Sequence, residues 1–193
     1  MPTENKPAEP LQVERSTVTK LVITGAPSLD PITVFLEDLA PCKGKITVSC
    51  YDKSWHAYWG GMWEGLSIGQ FFCELNAAYI IGYFENGLSC RRFSGEALAD
   101  KARLEILEMR RDFDLDRSDA RELYDEAEDI RYVNSIDELG SAHRELMQRV
   151  FGDEWWHLSE DATAPNPDWY YLERIIHTVQ QSLRQERLQQ VAA

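Results

Sequence analysis

The residues most able to do chemistry are carboxylates gathered in the middle of the chain. Residues 96–138 hold 15 Asp and Glu against 7 Lys and Arg, a net charge of −8 within a total of −13. The densest part carries nine carboxylates: Asp112, Asp114, Asp116, Asp119, Glu122, Asp125, Glu126, Glu128 and Asp129. Like charges at helical spacing repel one another, so this clustering lowers local stability. The simplest interpretation is a solvated helix face, and the alternative is a surface that meets a basic partner by imitating the phosphates of DNA.

The start of this acidic segment resembles a calcium-binding loop, and the resemblance fails further along. Asp112, Asp114 and Asp116 match the first ligand positions of an EF-hand. Arg117 stands where the loop needs glycine, and Leu123 stands where it needs a bidentate glutamate. We therefore predict no metal site and no cofactor, while weak divalent binding stays open as it does for any carboxylate cluster.

Nucleophilic catalysis would need a cysteine or serine beside a base, and the sequence holds no recognised arrangement of that kind. The four histidines form neither HxH nor HExxH, and there is no GxSxG, P-loop or GxGxxG motif. The four cysteines form no CxxC pair, which favours reduced thiols. A Cys50–His56 or Cys73–His56 pair is the remaining catalytic arrangement. We predict that the protein is not an enzyme, with an unrecognised cysteine or carboxylate site as an alternative.

Aromatic side chains provide a second candidate surface. The candidates are Trp55, Tyr58, Trp59, Trp63, Trp155 and Trp156. Because side chains alternate along a strand, Trp55 and Trp59 share one face and Tyr58 lies on the other. At least one large ring is therefore expected outside the core. Core packing is the simplest role for most of them, and an exposed remainder would form a binding hot spot for a partner or a second copy.

The acidic composition excludes some classes of partner. A net charge of −13 opposes direct binding to nucleic-acid phosphates and docking on anionic lipid. The chain has no apolar run near the roughly 20 residues that cross a bilayer, and its start lacks the features of a signal peptide. We expect no direct nucleic-acid contact, no membrane contact and a cytoplasmic location.

The hydrophobic periodicity predicts which elements position these residues. Strand patterns cover residues 18–24, 32–37, 45–51 and 54–59. Helical patterns begin after Ser67 and near 94, and two more cover 119–130 and 136–151, the latter with Gly140 as a candidate break. Asn166-Pro167, an N-cap residue followed by proline, predicts the start of the last helix. Residues 77–84 fit either a helix or a strand, and we favour a helix. The sequence predicts an α+β fold, in which an N-terminal antiparallel β-meander of three or four strands is covered by a helix and followed by a helical, bundle-like half. We expect a disordered lead-in at 1–16, a sheet region at 17–92 and an acidic helical region at 93–190, packed as one compact unit.

Two stretches of the sequence resemble a known family. One comprises TKLVITGAPSLDPITVFLED, GKITVSCYDKSWHAYWGGM and IGQFFCELNAAYIIGYF, and the other comprises GDEWWHL and NPDWYYLERIIHTVQQSL. Together they cover about residues 19–84 and 152–183, and they resemble an accessory protein family of tailed phages and prophages of enteric bacteria. The resemblance implies a small protein acting inside an infected or lysogenic bacterium, where such proteins often redirect host machinery or block defence systems. It transfers no catalytic residues.

The sequence leads to one functional hypothesis and two alternatives. The hypothesis is a phage or prophage accessory protein that binds and inhibits or modulates a host or anti-phage defence protein in the bacterial cytoplasm. Its contacts would be the acidic segment 112–129, as a partial nucleic-acid mimic, and the exposed aromatic rings. The first alternative is a structural or assembly homo-oligomer held by aromatic surfaces, and the second is the enzyme described above.

Overall fold

The computed structural model describes residues 12–159 and 162–192, without the side chains of 158, 159 and 190–192. The chain divides into two compact units. Met1–Asn86 and Leu172–Ala193 form the first, the sheet unit, and Gly87–Tyr171 form the second, the helical unit. The part of the last helix beyond Tyr171 groups with the sheet unit. Residues 12–16 of the predicted lead-in are exposed without regular structure, and 1–11 lie outside the described residues.

The sheet unit begins with the predicted antiparallel meander. Its strands are β1 Thr19–Ile23, β2 Ile32–Ala40, β3 Lys43–Cys50 and β4 Lys53–Trp59. They lie side by side in the sheet in the order β1-β2-β3-β4. Alternate residues of the last three strands are buried, as their apolar–polar alternation predicted. One face of the sheet is therefore core, and the other presents polar residues such as Thr47 and His56.

Two short helices follow the meander. The first, α1, is Ile68–Glu74, and Ser67 and Gln70 form the capping box that starts it. Gly44 of β3 permits its close approach, because a Cβ there would lie 2.7 Å from Ile68 Cβ. The second, α2, is Ala77–Phe84, which confirms the helical interpretation of this ambiguous segment.

Within its described residues, the helical unit contains five complete α-helices, the start of the last helix and a small sheet. The helices are α3 Gly95–Arg111, α4 Arg117–Glu126, α5 Ile136–Ala142, α6 Arg144–Phe151 and α7 Trp156–Ser159. A 3-10 helix, Asp129–Tyr132, follows α4 and replaces the end of the helix predicted over 119–130. The helix predicted over 136–151 is interrupted at His143 rather than at Gly140. Strands β5 Arg91–Phe93 and β6 Thr163–Pro165 pair antiparallel and were not predicted.

The core of the helical unit forms where α3 packs on the segments that follow it. Leu98, Ala102 and Ile106 of α3 are fully buried. Gly95 lets the start of α3 approach the 3-10 segment, since a Cβ there would lie 2.3 Å from the Ile130 carbonyl oxygen. The apolar stripe of α3 thus supplies one side of a closed core, as its helical spacing predicted.

The last helix, α8 Pro167–Ala192, begins where Asn166-Pro167 predicted. Asn166 Oδ1 accepts a hydrogen bond from Asp168 N at 3.2 Å, which caps the first turn. Further along, Gln180 is 3% exposed and its Nε2 donates to the carbonyl oxygens of Phe72 at 2.9 Å and Leu75 at 2.8 Å. These bonds satisfy carbonyls at the end of α1 and fasten α8 within the sheet unit. Within residues 12–159 and 162–192, no helix combines the length and apolar character needed to cross a membrane. The architecture is the predicted α+β fold with a C-terminal helical half.

Candidate partner-binding surfaces

The acidic segment is organised by α4, and one of its carboxylates starts that helix. Asp116 Oδ1 accepts hydrogen bonds from Ser118 N at 2.7 Å and Asp119 N at 2.8 Å. A carboxylate in this position satisfies backbone N–H groups that the helix itself cannot pair. Asp116 therefore has a structural role as the N-cap.

Three other carboxylates share one side of α4. Ala120 and Leu123 form its buried face. With 3.6 residues per turn, Asp119, Glu122 and Glu126 fall on a single stripe away from that face. Glu122 and Glu126 are exposed and Asp119 is half-buried. We refer to these three residues as the acidic stripe.

Most carboxylates of the acidic segment have no partner within residues 12–159 and 162–192. In the described part of the chain, six of the nine predicted carboxylates make neither a side-chain hydrogen bond nor an ion pair: Asp112, Asp114, Asp119, Glu122, Glu126 and Asp129. Their charge is not neutralised by neighbouring arginines. The structure thus leaves most of this negative charge available to an external basic group.

Two carboxylates of the segment are engaged by arginines. Glu128 Oε2 lies 2.6 Å from Arg103 Nη1, and Glu128 Oε1 accepts from Arg131 Nε at 3.1 Å. Asp125 lies 3.9 Å from Arg121, and both side chains are largely exposed, so this pair contributes little. Glu128 is therefore part of the internal charge network of the helical unit rather than of its open acidic surface.

The predicted aromatic surface is only partly on the surface. Trp55, Trp59 and Trp155 are buried, which places these three rings in the core and corrects their assignment as contact residues. The exposed members are Tyr58 at 53%, Trp63 at 57% and Trp156 at 48%. The expectation that Tyr58 lies opposite Trp55 and Trp59 on β4 is confirmed.

A row of aromatic rings crosses the sheet unit from one exposed end to the other. Trp63 contacts Phe71 with centroids 5.5 Å apart, and Phe71 contacts Trp59 at 5.7 Å. Trp59 contacts Tyr83 at 5.3 Å, and Tyr83 contacts Tyr79 at 4.9 Å. Tyr79 and Tyr83 are exposed and their hydroxyls are hydrogen-bonded at 3.1 Å. Sequence reasoning missed these two tyrosines, although their i,i+4 spacing on a helix would have placed them side by side.

The histidine and cysteines proposed as nucleophile pairs are not brought together. His56 is exposed on the outer face of β4, whereas Cys50 is buried on the inner face of the sheet. Cys73 is buried in α1, where its Sγ donates to the Gln180 carbonyl at 3.6 Å. Burial raises the pKa of the Cys73 thiol, which disfavours the reactive thiolate. Neither predicted pair has the geometry of a nucleophile and its base.

The calcium-loop resemblance is not matched by a gathering of ligands. Among the described residues, no three His, Cys, Asp or Glu side chains lie close enough together to hold a metal ion. Asp116 uses its carboxylate as the cap of α4, and Phe113 between the aspartates has a positive φ of 68° and points its ring into solvent. The segment is therefore a helix entry and not a closed ligand loop.

Comparison with known protein families shows which family the chain belongs to. A family model described as a phage family matches residues 11–185. The chain belongs to this phage family. The match confirms the phage association expected from the two resembling stretches, and it extends through the acidic helices between them. No curated protein and no solved structure matches the chain at a significant level.

Proposed function

We propose that this phage family protein binds and inhibits or modulates a protein of the bacterial host or of an anti-phage defence system. It acts in the bacterial cytoplasm as an accessory protein of phages of enteric bacteria, by contact rather than by catalysis. The observation that carries the proposal is the set of six carboxylates around α4 that have no side-chain partner among the described residues. Their mutual repulsion lowers stability, and a basic partner surface would relieve it.

The spacing of the acidic stripe supports a partial imitation of nucleic acid. Asp119, Glu122 and Glu126 are separated along the helix axis by about 4.5 and 6 Å. Successive phosphates of one DNA strand are separated by about 3.4 Å along the axis, which is the same order. A protein site that binds phosphates through lysine and arginine would therefore meet charges of the right sign at comparable intervals.

The total charge supports fast, salt-sensitive association. A protein of charge −13 attracts a basic surface over roughly a Debye length, about 8 Å at physiological ionic strength. Such steering raises association rates and weakens as salt increases. We therefore expect the partner to be a nucleic-acid-binding protein, without direct contact between this chain and nucleic acid.

The experiment is capture of bound proteins from a bacterial lysate at low and high salt with the tagged full chain. We compare it with the triple reversal Asp119→Lys, Glu122→Lys and Glu126→Lys. The control makes the same charge change at exposed carboxylates of the sheet unit: Glu14→Lys, Asp52→Lys and Glu64→Lys. The proposal expects one stoichiometric partner that is released at high salt, lost in the stripe variant and kept in the control. Equal retention by both variants would exclude the acidic stripe as the contact.

Exposed aromatic rings favour a second candidate, a homo-oligomer in a structural or assembly role. Trp63, Tyr79 and Tyr83 lie at the two exposed ends of one ring row, and α2 carries no charged residue to oppose contact between acidic copies. Light scattering after size exclusion tests it. A defined oligomer that persists at high salt and is lost in Tyr79→Ser, Tyr83→Ser would support assembly, whereas a monomer at every concentration would exclude it.

A further inference from the structure

We propose that the groove between α3 and α4 binds an acidic amphipathic helix of a partner protein. This surface is separate from the acidic stripe, and the inference does not depend on the function proposed for that stripe. The groove has a volume of about 370 Å³ and is lined by Ile106 and Leu107 of α3 and by residues of α4. Its apolar floor and its positively charged rim together define the chemistry of the ligand.

The floor of the groove is apolar and partly open to solvent. Ile106 is fully buried and Ala120 is buried, and both line the groove. Leu107 also lines it and remains 49% exposed. Covering an exposed leucine beside buried apolar residues with a second apolar side chain is favourable in free energy. The groove therefore favours a ligand with apolar anchors.

One wall of the groove is held rigidly. The Arg103 guanidinium lies 4.5 Å from the centroid of the Tyr124 ring, and Arg103 Nε donates to the Tyr124 carbonyl at 3.3 Å. Glu128 in turn fixes Arg103 through their 2.6 Å ion pair. A ring fixed before binding loses little conformational entropy when a ligand packs on it. Tyr124 thus presents a preformed apolar surface to the groove.

The rim of the groove carries positive charge in an otherwise acidic segment. Arg117 and Arg121 lie one helical turn apart and both line the groove, and Asp125 also lines it, so the rim has two positive charges and one negative charge. Arg117 has no ion-pair partner among the described residues, and Arg121 has only the loose contact with Asp125 at 3.9 Å. At 3.6 residues per turn, these two arginines lie about 150° around α4 from the middle of the acidic stripe. The two arginines therefore lie on a different side of α4 from the acidic stripe, with Asp125 between the arginines and the stripe.

An acidic amphipathic helix satisfies both features. In helix-in-groove recognition, apolar residues at i, i+3 or i+4 and i+7 fill the groove while flanking residues meet the rim. Carboxylates on those flanks can form paired hydrogen bonds with arginine guanidinium groups. The ten residues of α4 extend about 15 Å, which accommodates about three turns of a partner helix.

The test measures fluorescence anisotropy of two labelled helical peptides titrated with the full chain. Both peptides are about 15 residues long, three to four turns, with leucines at helical spacing; one has flanking glutamates and the other has flanking lysines. We expect the glutamate peptide to bind at least about tenfold more tightly than the lysine peptide. Leu107→Gln should weaken both peptides, because it places an amide against the apolar anchors. The joint reversal Arg117→Glu, Arg121→Glu should exchange the preference in favour of the lysine peptide.

The matched control reverses two exposed arginines of α6, Arg144→Glu and Arg149→Glu, and should leave the preference for the glutamate peptide unchanged. Circular dichroism of each variant verifies that the helices are intact. Equal affinity for the two peptides, no saturable binding, or the same loss in the α6 control would overturn the assignment. A concentration-dependent dimer that Leu107→Gln abolishes would also overturn it and make a second copy of the chain the occupant.

Discussion

Arg103 and Glu128 form an ion pair in which Arg103 Nη1 lies 2.6 Å from Glu128 Oε2. The approach is a close charge contact rather than an aligned hydrogen bond, since Oε2 has no partner with hydrogen-bond geometry among the described residues. Arg131 binds the other oxygen of Glu128 and also Asp100 at 2.9 Å. One carboxylate of the acidic segment thus joins α3 to the residues that follow α4.

Replacing Glu128 with alanine should destabilise the helical unit. The change leaves Arg103 without its counter-ion and weakens the position of Arg131. The side chain of Glu128 is 39% exposed but its Oε2 is buried, so the pair is only partly screened by water and the expected loss is about 1–2 kcal/mol. Urea unfolding followed by circular dichroism measures it. Glu126→Ala, which removes a carboxylate that contacts no charged partner in the described part of the chain, should change stability by no more than about 0.5 kcal/mol.

Replacing Glu122 with glutamine should stabilise the protein at low salt. Glu122 follows Asp119 by three residues and precedes Asp125 by three and Glu126 by four. Its negative charge is therefore repelled by three other carboxylates. Removing it should raise the free energy of unfolding by about 0.5 kcal/mol at low ionic strength. In about 1 M salt the Debye length falls to about 3 Å, and the difference should disappear. Glu64→Gln in the exposed loop before α1 makes the same charge change, and an equal gain there would contradict the local explanation.

Glycine substitutions at two helical positions should have opposite effects. Gly95→Ala places a Cβ 2.3 Å from the Ile130 carbonyl oxygen and 2.5 Å from that of Val133, so the backbone must move. We expect a loss of about 2–4 kcal/mol in unfolding free energy. Gly82→Ala on α2 would meet no described atom within 4 Å outside its own helix backbone and should gain about 0.5–1 kcal/mol from helix propensity. Thermal unfolding of the two variants compares them directly, and destabilisation by both would contradict the packing argument.

The cysteines should differ in their reaction with a thiol reagent. Cys73 is buried and burial raises its pKa, so a smaller fraction is thiolate at pH 8 than for an ordinary thiol. Cys90 is exposed and should react first. Mass spectrometry of peptides after timed alkylation gives the two rates. If the folded protein is alkylated at Cys73 as fast as at Cys90, the burial of Cys73 is contradicted. That result would favour the alternative of a cysteine enzyme.

The strands of the first sheet could be predicted from the sequence because each one shows its apolar–polar alternation within its own few residues. Strands such as β3 are buried on one face only, so apolar and polar residues alternate and reveal the strand. Helix starts were equally local, since Ser67 and Asn166 cap the helices that follow them. In contrast, β5 and β6 are three residues long and pair across a large sequence separation, as in the bond from Arg91 Nε to Thr163 Oγ1 at 2.7 Å. Neither strand is long enough to show a period.

The candidate surfaces were predicted less completely, because residue type does not reveal a side chain's partner. The sequence grouped Glu128 with Glu122, although Arg103 engages Glu128 from a helix some 25 residues earlier. It also grouped Trp59 with Trp63, whereas the fold buries the first and exposes the second. The arginine-rimmed groove was not predicted at all, since Leu107 and Tyr124 lie on different helices and meet only through the packing of α3 against α4.

The sheet unit is made from two parts of the chain that are separated in sequence, so the ribosome synthesises them at different times. Its strands are synthesised first, but the segment from Leu172 follows only after the 85 residues from 87 to 171. At about 5–20 residues per second, this interval lasts about 4–17 seconds. Until Gln180 emerges, the carbonyl groups of Phe72 and Leu75 lack the donor that the finished protein supplies. The nascent meander is therefore an incomplete domain until the segment from Leu172 has been synthesised.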